Sequence, residues 1–379
     1  MDKKKFNRIR YLSMLVFTVI GSATSVITKS LNLSNFYFPL YQIFIMYIGD
    51  LLAFPLYLIQ RRQKKFAQNK TAPLPSLKKN TYKLKLLVFS FVSLLDLLNV
   101  FLENYCFNYM DPSDFFSLKM TVAYYILAYR IFIAKRKSFK HQWLGLAIFS
   151  VGIFLFVLSN ILDATNKERE LFGVYIGLMF VAELIMCVQL LVIEHFAWEL
   201  NSSAAEIMVI KGCSGLIMCG VLYIPLKLIF KDYVNLAEIK RPFEIAYSEE
   251  KLSILSTVLI FVLGVYNFLL VYLLKITESL AVCTVDSGRI IIVSIFFALF
   301  NSIKLLPLQM VAAFCIYLGL AIYNELLRIP CCGLLKSAKE SMKENKILRK
   351  KREDARMWIH GLVFFTENPN LVSDISLNI

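Results

Sequence analysis

Eight ionisable residues fall inside long apolar runs of this chain: Asp50, Asp96, Glu103, Lys119, Glu183, Lys211, Asp286 and Arg289. An ionisable group at mid-bilayer costs at least about 2.5–3.5 kcal/mol on insertion scales, so each needs a partner, a cavity or a task. Asp96, Asn99 and Glu103 are spaced three and four apart, which puts them on one helical face. Such a polar face turns to a cavity or to a partner helix; the plainer reading is a polar zipper that orders a bundle. Lys119 and Arg289 are bases of the kind that hold a cavity positive and receive a phosphate or carboxylate. Asp286 lies three residues before Arg289 on the same face, so an internal ion pair is the rival reading. Both hold if the counter-ion releases the base when an anion arrives. Glu183, Cys187 and Glu194 share another face, with Glu194 near a span end, where a solvated carboxylate is the simpler reading. Lys29, Arg130, Lys211 and Lys227 read as snorkelling side chains.

Other chemistries lack their residues. The sequence holds no P-loop, nucleophile triad or paired-histidine motif, and its eight cysteines include no C-x-x-C pair. Its three histidines are His141, His195 and His360. Neither an enzyme, nor a metal site, nor a cofactor is expected.

The elements that carry these charges are membrane spans. Of 379 residues, 58% are hydrophobic and 18% charged, with a mean hydropathy of +0.61; soluble chains run nearer 45–50% and 25%. Ten apolar segments are expected, at 11–31, 38–59, 84–110, 112–133, 142–162, 171–195, 204–230, 252–274, 279–301 and 306–327. The first follows Lys3, Lys4, Lys5, Arg8 and Arg10, yet its run exceeds a signal-peptide core and lacks a cleavage site, so it reads as a retained helix. Counted in the loops and tails, Lys and Arg number 28 on one side and 7 on the other. The positive-inside rule then puts both termini and the 60–83 loop in the cytosol, with the 231–251 loop opposite. The same rule accounts for the +15 net charge, so no nucleic-acid partner is expected. The tail from Lys336 to Arg356 is basic enough to lie on anionic lipid at up to about 1 kcal/mol per base, with a solvated helix as the alternative. Cys331 and Cys332 sit at the membrane edge, a position open to acylation. The sequence carries no signal for oligomeric state.

The halves of the chain echo each other. Gln142-Trp143-Leu144-Gly145 opens the fifth span with Gly152 ten residues after its glutamine; Gln309-Met310-Val311-Ala312 opens the tenth with Gly319 at the same interval. Upstream of each lies a helix with one basic residue in its outer half, Lys119 or Arg289. Five helices per half is an odd number, so the second copy must insert inverted, which places a substrate site where the halves meet.

In ordered residues the chain resembles solute carrier family 35, the nucleotide-sugar-transporter-like branch of the drug/metabolite transporter superfamily, and within it subfamily F of the member-six type. The likeness runs over about residues 11–328. It rests on Asp96, Asn108, Phe115, Lys119 and the Gln142–Gly145 stretch, then on Gln189, Glu194, Phe196, Gly212, Gly215 and Pro225. Asn267-Phe268, Asp286-Ser287-Gly288-Arg289, Gln309 and Tyr323-Asn324 complete it. The family tends to arginine at Lys119, to glutamate at Asp50, and to lysine or glutamate at His195. An ammonium does not reproduce a guanidinium's bidentate grip, so the substrate does not carry over.

The resemblance implies an all-α polytopic membrane protein of ten transmembrane helices in two inverted five-helix repeats, working by alternating access. The expected organisation is a cytosolic N-terminus (1–10), a first repeat (11–162), a second repeat (171–327) and a basic cytosolic tail (328–379). The expected function is secondary-active transport of a small polar, anionic metabolite. Lys119, Arg289, Asp96, Asn99 and Asn267 are the candidate substrate-binding residues, and Asp286, Glu103 and Asp50 their charge partners. The rival is a non-transporting scaffold or receptor whose buried charges only pair with one another. The family points to endomembranes (Golgi, lysosome or vacuole) and, for this type, also to a mitochondrial membrane.

Overall fold

The computed structural model describes residues 3–34, 38–68, 77–110, 118–135, 139–163, 166–200, 202–229, 240–289 and 307–323, with a few single positions among the rest. The basic tail at 328–379 apart from Glu340, with Cys331 and Cys332, lies outside the described residues, as do Asn324 and residues 231–239 of the 231–251 loop.

Every regular element among the described residues is helical. In chain order these are α1 (Lys3–Leu33), α2 (Pro39–Leu51), α3 (Phe54–Gln68), α4 (Leu77–Tyr109), α5 (Val122–Ala128) continued by a π-helical turn (Tyr129–Ile133), α6 (Lys140–Asp163), α7 (Asn166–Glu199), α8 (Ala204–Ile229), α9 (Lys240–Ser248), α10 (Glu250–Ile276), α11 (Ser279–Ser287) and α12 (Pro307–Tyr323). Among the described residues, six stretches are long and apolar enough to cross a membrane: Ile9–Asn32, Pro39–Gln63, Tyr82–Tyr109, Gly173–Glu199, Ala204–Val221 and Glu250–Ile276. The 27 residues of Glu250–Ile276 rise about 40 Å, ample for a hydrocarbon layer of roughly 30 Å.

Burial runs opposite to that of a water-soluble protein. Leu12, Leu15, Leu87, Ile217, Val221 and Phe261 are exposed, while Asp50, Glu183, Gln189 and Lys211 are buried. Apolar side chains outside and charges inside are what a hydrocarbon solvent selects.

Two irregularities interrupt the helices. Pro39 starts α2 with its fixed φ, and α2 ends at Leu51, four residues before Pro55. A proline offers no N–H to the carbonyl four residues earlier and clashes with it. Leu52 and Ala53 therefore donate to the oxygens of Gly49 and Asp50 in tight turns, and the break falls beside a buried carboxyl. The π-turn after α5 contains Arg130.

Packing among the helices is specific. α4 packs on α7 and α1 on α10; α2 packs on α10 and α4 on α8; α5 packs on α7 and α1 on α11. Three further pairs are α2 with α8, α5 with α11, and α6 with α12. The α6–α12 contact is backbone to backbone: a Cβ on Gly145 would meet the Gly319 oxygen at 2.6 Å, and one on Gly152 the Ala312 oxygen at 2.9 Å. α2 and α10 meet through Gly49 and Gly264 in the same manner. Small residues are what permit such approach between helices in lipid.

Candidate functional site

A small, partly open cavity lies among α5, α7, α10 and α11, with about 30 Å³ for the centres of water-sized molecules. Lys119, Glu183, Tyr266, Cys283, Asp286 and Arg289 give it its polar and reactive groups, and Met120, Met186 and Leu190 are among its apolar walls. The two bases expected from the sequence to receive an anion thus line one space.

Each base is held. Lys119 Nζ pairs with Glu103 Oε2, and Asn99 Nδ2 donates to Glu103 Oε1 at 2.9 Å. The ammonium also stands over the Phe115 ring, 5.7 Å from its centroid. Arg289 Nη2 donates to Asp286 Oδ2 at 2.5 Å, and the Tyr266 hydroxyl donates to Asp286 Oδ1 at 3.1 Å. The guanidinium carbon lies 5.0 Å from the Tyr266 centroid, a cation–π geometry. Phe17 stacks on Tyr266 at 4.8 Å and 8°. Room for this arrangement comes from α1: a Cβ on Gly21 would strike Arg289 Cδ at 2.5 Å.

A second cluster sits apart from the cavity. Lys211 Nζ lies 2.8 Å from Asp96 Oδ2 and 3.3 Å from Asp50 Oδ2. Gln189 Nε2 donates to Asp96 Oδ1 at 2.7 Å, and Asn267 Nδ2 donates to Asp50 Oδ1 at 2.8 Å. Ser93 Oγ donates to the Lys211 carbonyl at 3.0 Å, and the Tyr47 hydroxyl to the Ser93 carbonyl at 2.7 Å. These groups tie α2, α4, α7, α8 and α10 together. The snorkelling expected of Lys211 is therefore wrong. Its side chain is 2% exposed, and two carboxylates repay its desolvation better than an interface would.

The Asp96–Asn99–Glu103 face of α4 divides between the two clusters. Asp96 faces Lys211 and Gln189, while Asn99 and Glu103 face Lys119. Asp96, Asn99, Asn267 and Asp50 do not line the cavity; Lys119 and Arg289 do.

Comparison with known proteins adds a relationship to this geometry. No protein-family model matches the chain. Solute carrier family 35 member F6 of Rattus norvegicus is 23% identical over 197 residues, which is 51% of this chain and 50% of the rat protein. The protein of that name from Mus musculus is 24% identical over 197 residues, with the same two shares. The chain is similar in sequence to solute carrier family 35, subfamily F. It spans about half the length of the curated relatives it matches. One solved crystal structure superposes with a TM-score of 0.56 at 11% identity, over 85% of this chain and 98% of the other; that likeness speaks for the fold alone. With its apolar spans, the chain is an integral membrane protein.

The residues that carry the likeness to solute carrier family 35 divide by place. Lys119, Asp286 and Arg289 belong to the cavity, whereas Asp96, Gln189 and Asn267 belong to the buried Lys211 cluster. Gly212 and Gly215 leave room for Leu51 and the Tyr47 ring beside that cluster.

Three further expectations are corrected. Lys29 does not snorkel: its ammonium donates to the carbonyls of Phe107 and Met110 at 3.0 and 3.1 Å, closing the C-terminal end of α4. Arg130 pairs with Glu278 at 2.8 Å. Glu194 is buried, and its Oε2 accepts the Ser279 N–H at 3.0 Å at the start of α11. The Lys227 side chain lies outside the described residues. His195 is exposed and pairs with Glu199 at 3.2 Å, away from the cavity. Sequence reasoning missed Tyr266 and Gly21. Tyr266 is one of 19 tyrosines and Gly21 one of 14 glycines, and no local pattern marks either.

Proposed function

We propose that this protein is a secondary-active transporter of a small polar, anionic metabolite, working by alternating access. The observation that carries the reading is that Lys119 and Arg289 line one cavity, each held by a carboxylate that an incoming anion can replace. A phosphate or carboxylate entering between them takes over the role of Glu103 and Asp286. The bases are then neutralised by cargo when loaded and by the protein when empty. Similarity to solute carrier family 35 member F6 supports a solute as cargo.

We propose further that the fold is ten spans in two inverted repeats, 11–162 and 171–327, flanked by 1–10 and 328–379. Numbering the spans along the chain, the packing supports this. Exchanging each span with the one five places away turns the third-on-sixth pair into eighth-on-first, second-on-eighth into seventh-on-third, and fourth-on-sixth into ninth-on-first. All six pairs occur. The second with seventh, fourth with ninth and fifth with tenth are their own images, and these occur too. The glycine contacts follow the same exchange, since Gly145 on Gly319 and Gly152 on Ala312 swap into one another. The charge count supports cytosolic termini, and the family supports an endomembrane.

A scaffold or receptor is the second reading, favoured by the fact that both cavity bases already have carboxylate partners. Uptake by liposomes carrying the purified protein decides between them. Nucleotide sugars, nucleotides and organic acids are the anions to screen, with thiamine-like cations as the contrasting class. Saturable uptake of an anion supports the transporter; uptake of none supports the scaffold.

A further inference from the structure

The cavity holds one acid that the two ion pairs leave over. Glu183 on α7 is 0% exposed. Among the described residues, neither of its carboxyl oxygens has a hydrogen-bond partner. It lines the cavity together with Lys119 and Arg289, and its electrostatic neighbours are Glu103, Lys119, Asp286 and Arg289. Every element packed on this part of α7 presents a titratable or charged group. α4 brings Glu103; the segment leading into α5 brings Lys119, and α5 brings Tyr125. α10 brings Tyr266, and α11 with the residues after it brings Cys283, Asp286 and Arg289. Cys187 lies one turn along α7 itself. The two bases are matched by Glu103 and Asp286, so a third carboxylate would be one negative charge in excess in the same enclosed space. An ionised carboxylate buried without a partner costs far more than a neutral one, and a bound proton removes that cost.

We propose that Glu183 is the proton-binding site of this cavity, and that its proton is released and taken up in step with solute movement. This rests on the transporter reading above. In the empty cavity the carboxyl carries the proton. An anion entering between Lys119 and Arg289 displaces Glu103 or Asp286 from its base. The anion and the freed carboxylate add negative charge beside Glu183 and hold its proton more tightly, so binding of solute and of proton are linked through one set of charges. Opening the cavity to water lets Glu183 exchange its proton with that side, and closure to the other side carries the exchange across. No electron moves and no covalent bond to carbon changes; a proton leaves an oxygen of Glu183 for water and returns from water.

Two readouts on the full-length protein test this. Dicyclohexylcarbodiimide modifies carboxyls in their protonated state, so peptide mass mapping should find Glu183 modified, with the yield falling as pH is raised. The adduct should be lost in Glu183→Gln, an isosteric change that keeps the fold as judged by thermal unfolding in detergent. In liposomes with a trapped pH-sensitive dye, adding a nucleotide sugar, a nucleotide or a dicarboxylate should shift the internal pH with wild type. The shift should vanish with Glu183→Gln, and whatever solute exchange that variant retains should lose the pH dependence seen with wild type. Absence of any adduct at Glu183 in folded protein overturns the proposal, as does a Glu183→Gln protein that still moves protons with solute. If wild type transports no solute, the transporter reading and the coupling fall together, while the labelling alone still reports whether Glu183 holds a proton.

Discussion

A Cβ on Gly145 would sit 2.6 Å from the carbonyl oxygen of Gly319, and a Cβ on Gly319 would sit 2.6 Å from the carbonyl oxygen of Gly145. The two glycines are each other's clearance. They come from the helices that close the two proposed repeats, α6 and α12. Valine at either position forces the helices apart, and overpacking of this kind costs about 1–3 kcal/mol. Gly145→Val and Gly319→Val should each lower the thermal unfolding midpoint in detergent. Gly177→Ala is the control, because a Cβ there meets nothing within 4 Å. Equal midpoints for all three variants would remove the interface from the account.

The Lys211 cluster predicts a sharper pattern. Lys211→Met leaves Asp50 and Asp96 buried without their shared base, and removing one partner of a buried pair costs about 3–5 kcal/mol. The protein should then fail to reach its membrane in quantity or unfold early in detergent. Adding Asp50→Asn and Asp96→Asn to Lys211→Met should recover most of the loss. Wild-type behaviour of Lys211→Met alone would show that the ammonium is not the hub of the cluster. Expression level and unfolding midpoint together read both outcomes.

How far the sequence reached can be judged at these two places. The one-sided face of Asp96, Asn99 and Glu103 was legible because helical spacing fixes it. That the face serves two clusters was not. Seven residues of helix rise about 10.5 Å, enough for Asp96 to meet α8 while Glu103 meets Lys119. Lys211 was misread for a related reason: sequence sets depth along a span but not whether a side chain points to lipid or inward. Its partners lie on α2 and α4, far upstream. The cavity bases were legible, since an isolated base in an apolar run needs a counter-charge or a ligand to stay charged there. Glu183 was visible as an oddity, yet only the structure shows that its neighbours' charges are already matched.

Glu194 offers a smaller effect. Its carboxylate accepts the Ser279 N–H at the start of α11, the helix that leads to Asp286 and Arg289. Loss of such a cap costs about 1 kcal/mol. Glu194→Ala should lower the unfolding midpoint slightly, and Glu194→Gln, which keeps an acceptor oxygen, should lower it less. Equal losses in the two variants would mean that the carboxylate charge, not the hydrogen bond, matters there.

Topology follows from the bases in the loops. Single cysteines placed at Lys70 and at Lys240 in a background without reactive thiols should be labelled from opposite faces of sealed vesicles, with position 70 on the cytosolic face. Labelling of both from one face would contradict the ten-span arrangement and the orientation together.

Arg289 and Lys119 are proposed to receive an anionic solute. The most direct measurement of that role is uptake of an anion transported by wild type into liposomes carrying the Asp286→Asn, Arg289→Gln double variant. Replacing both partners leaves no orphaned charge, so the protein should stay nearly as stable as wild type. This folded variant should lose uptake, because no cation remains on that side of the cavity. Full uptake by a stable double variant would contradict that role and make the Asp286–Arg289 pair a structural tie.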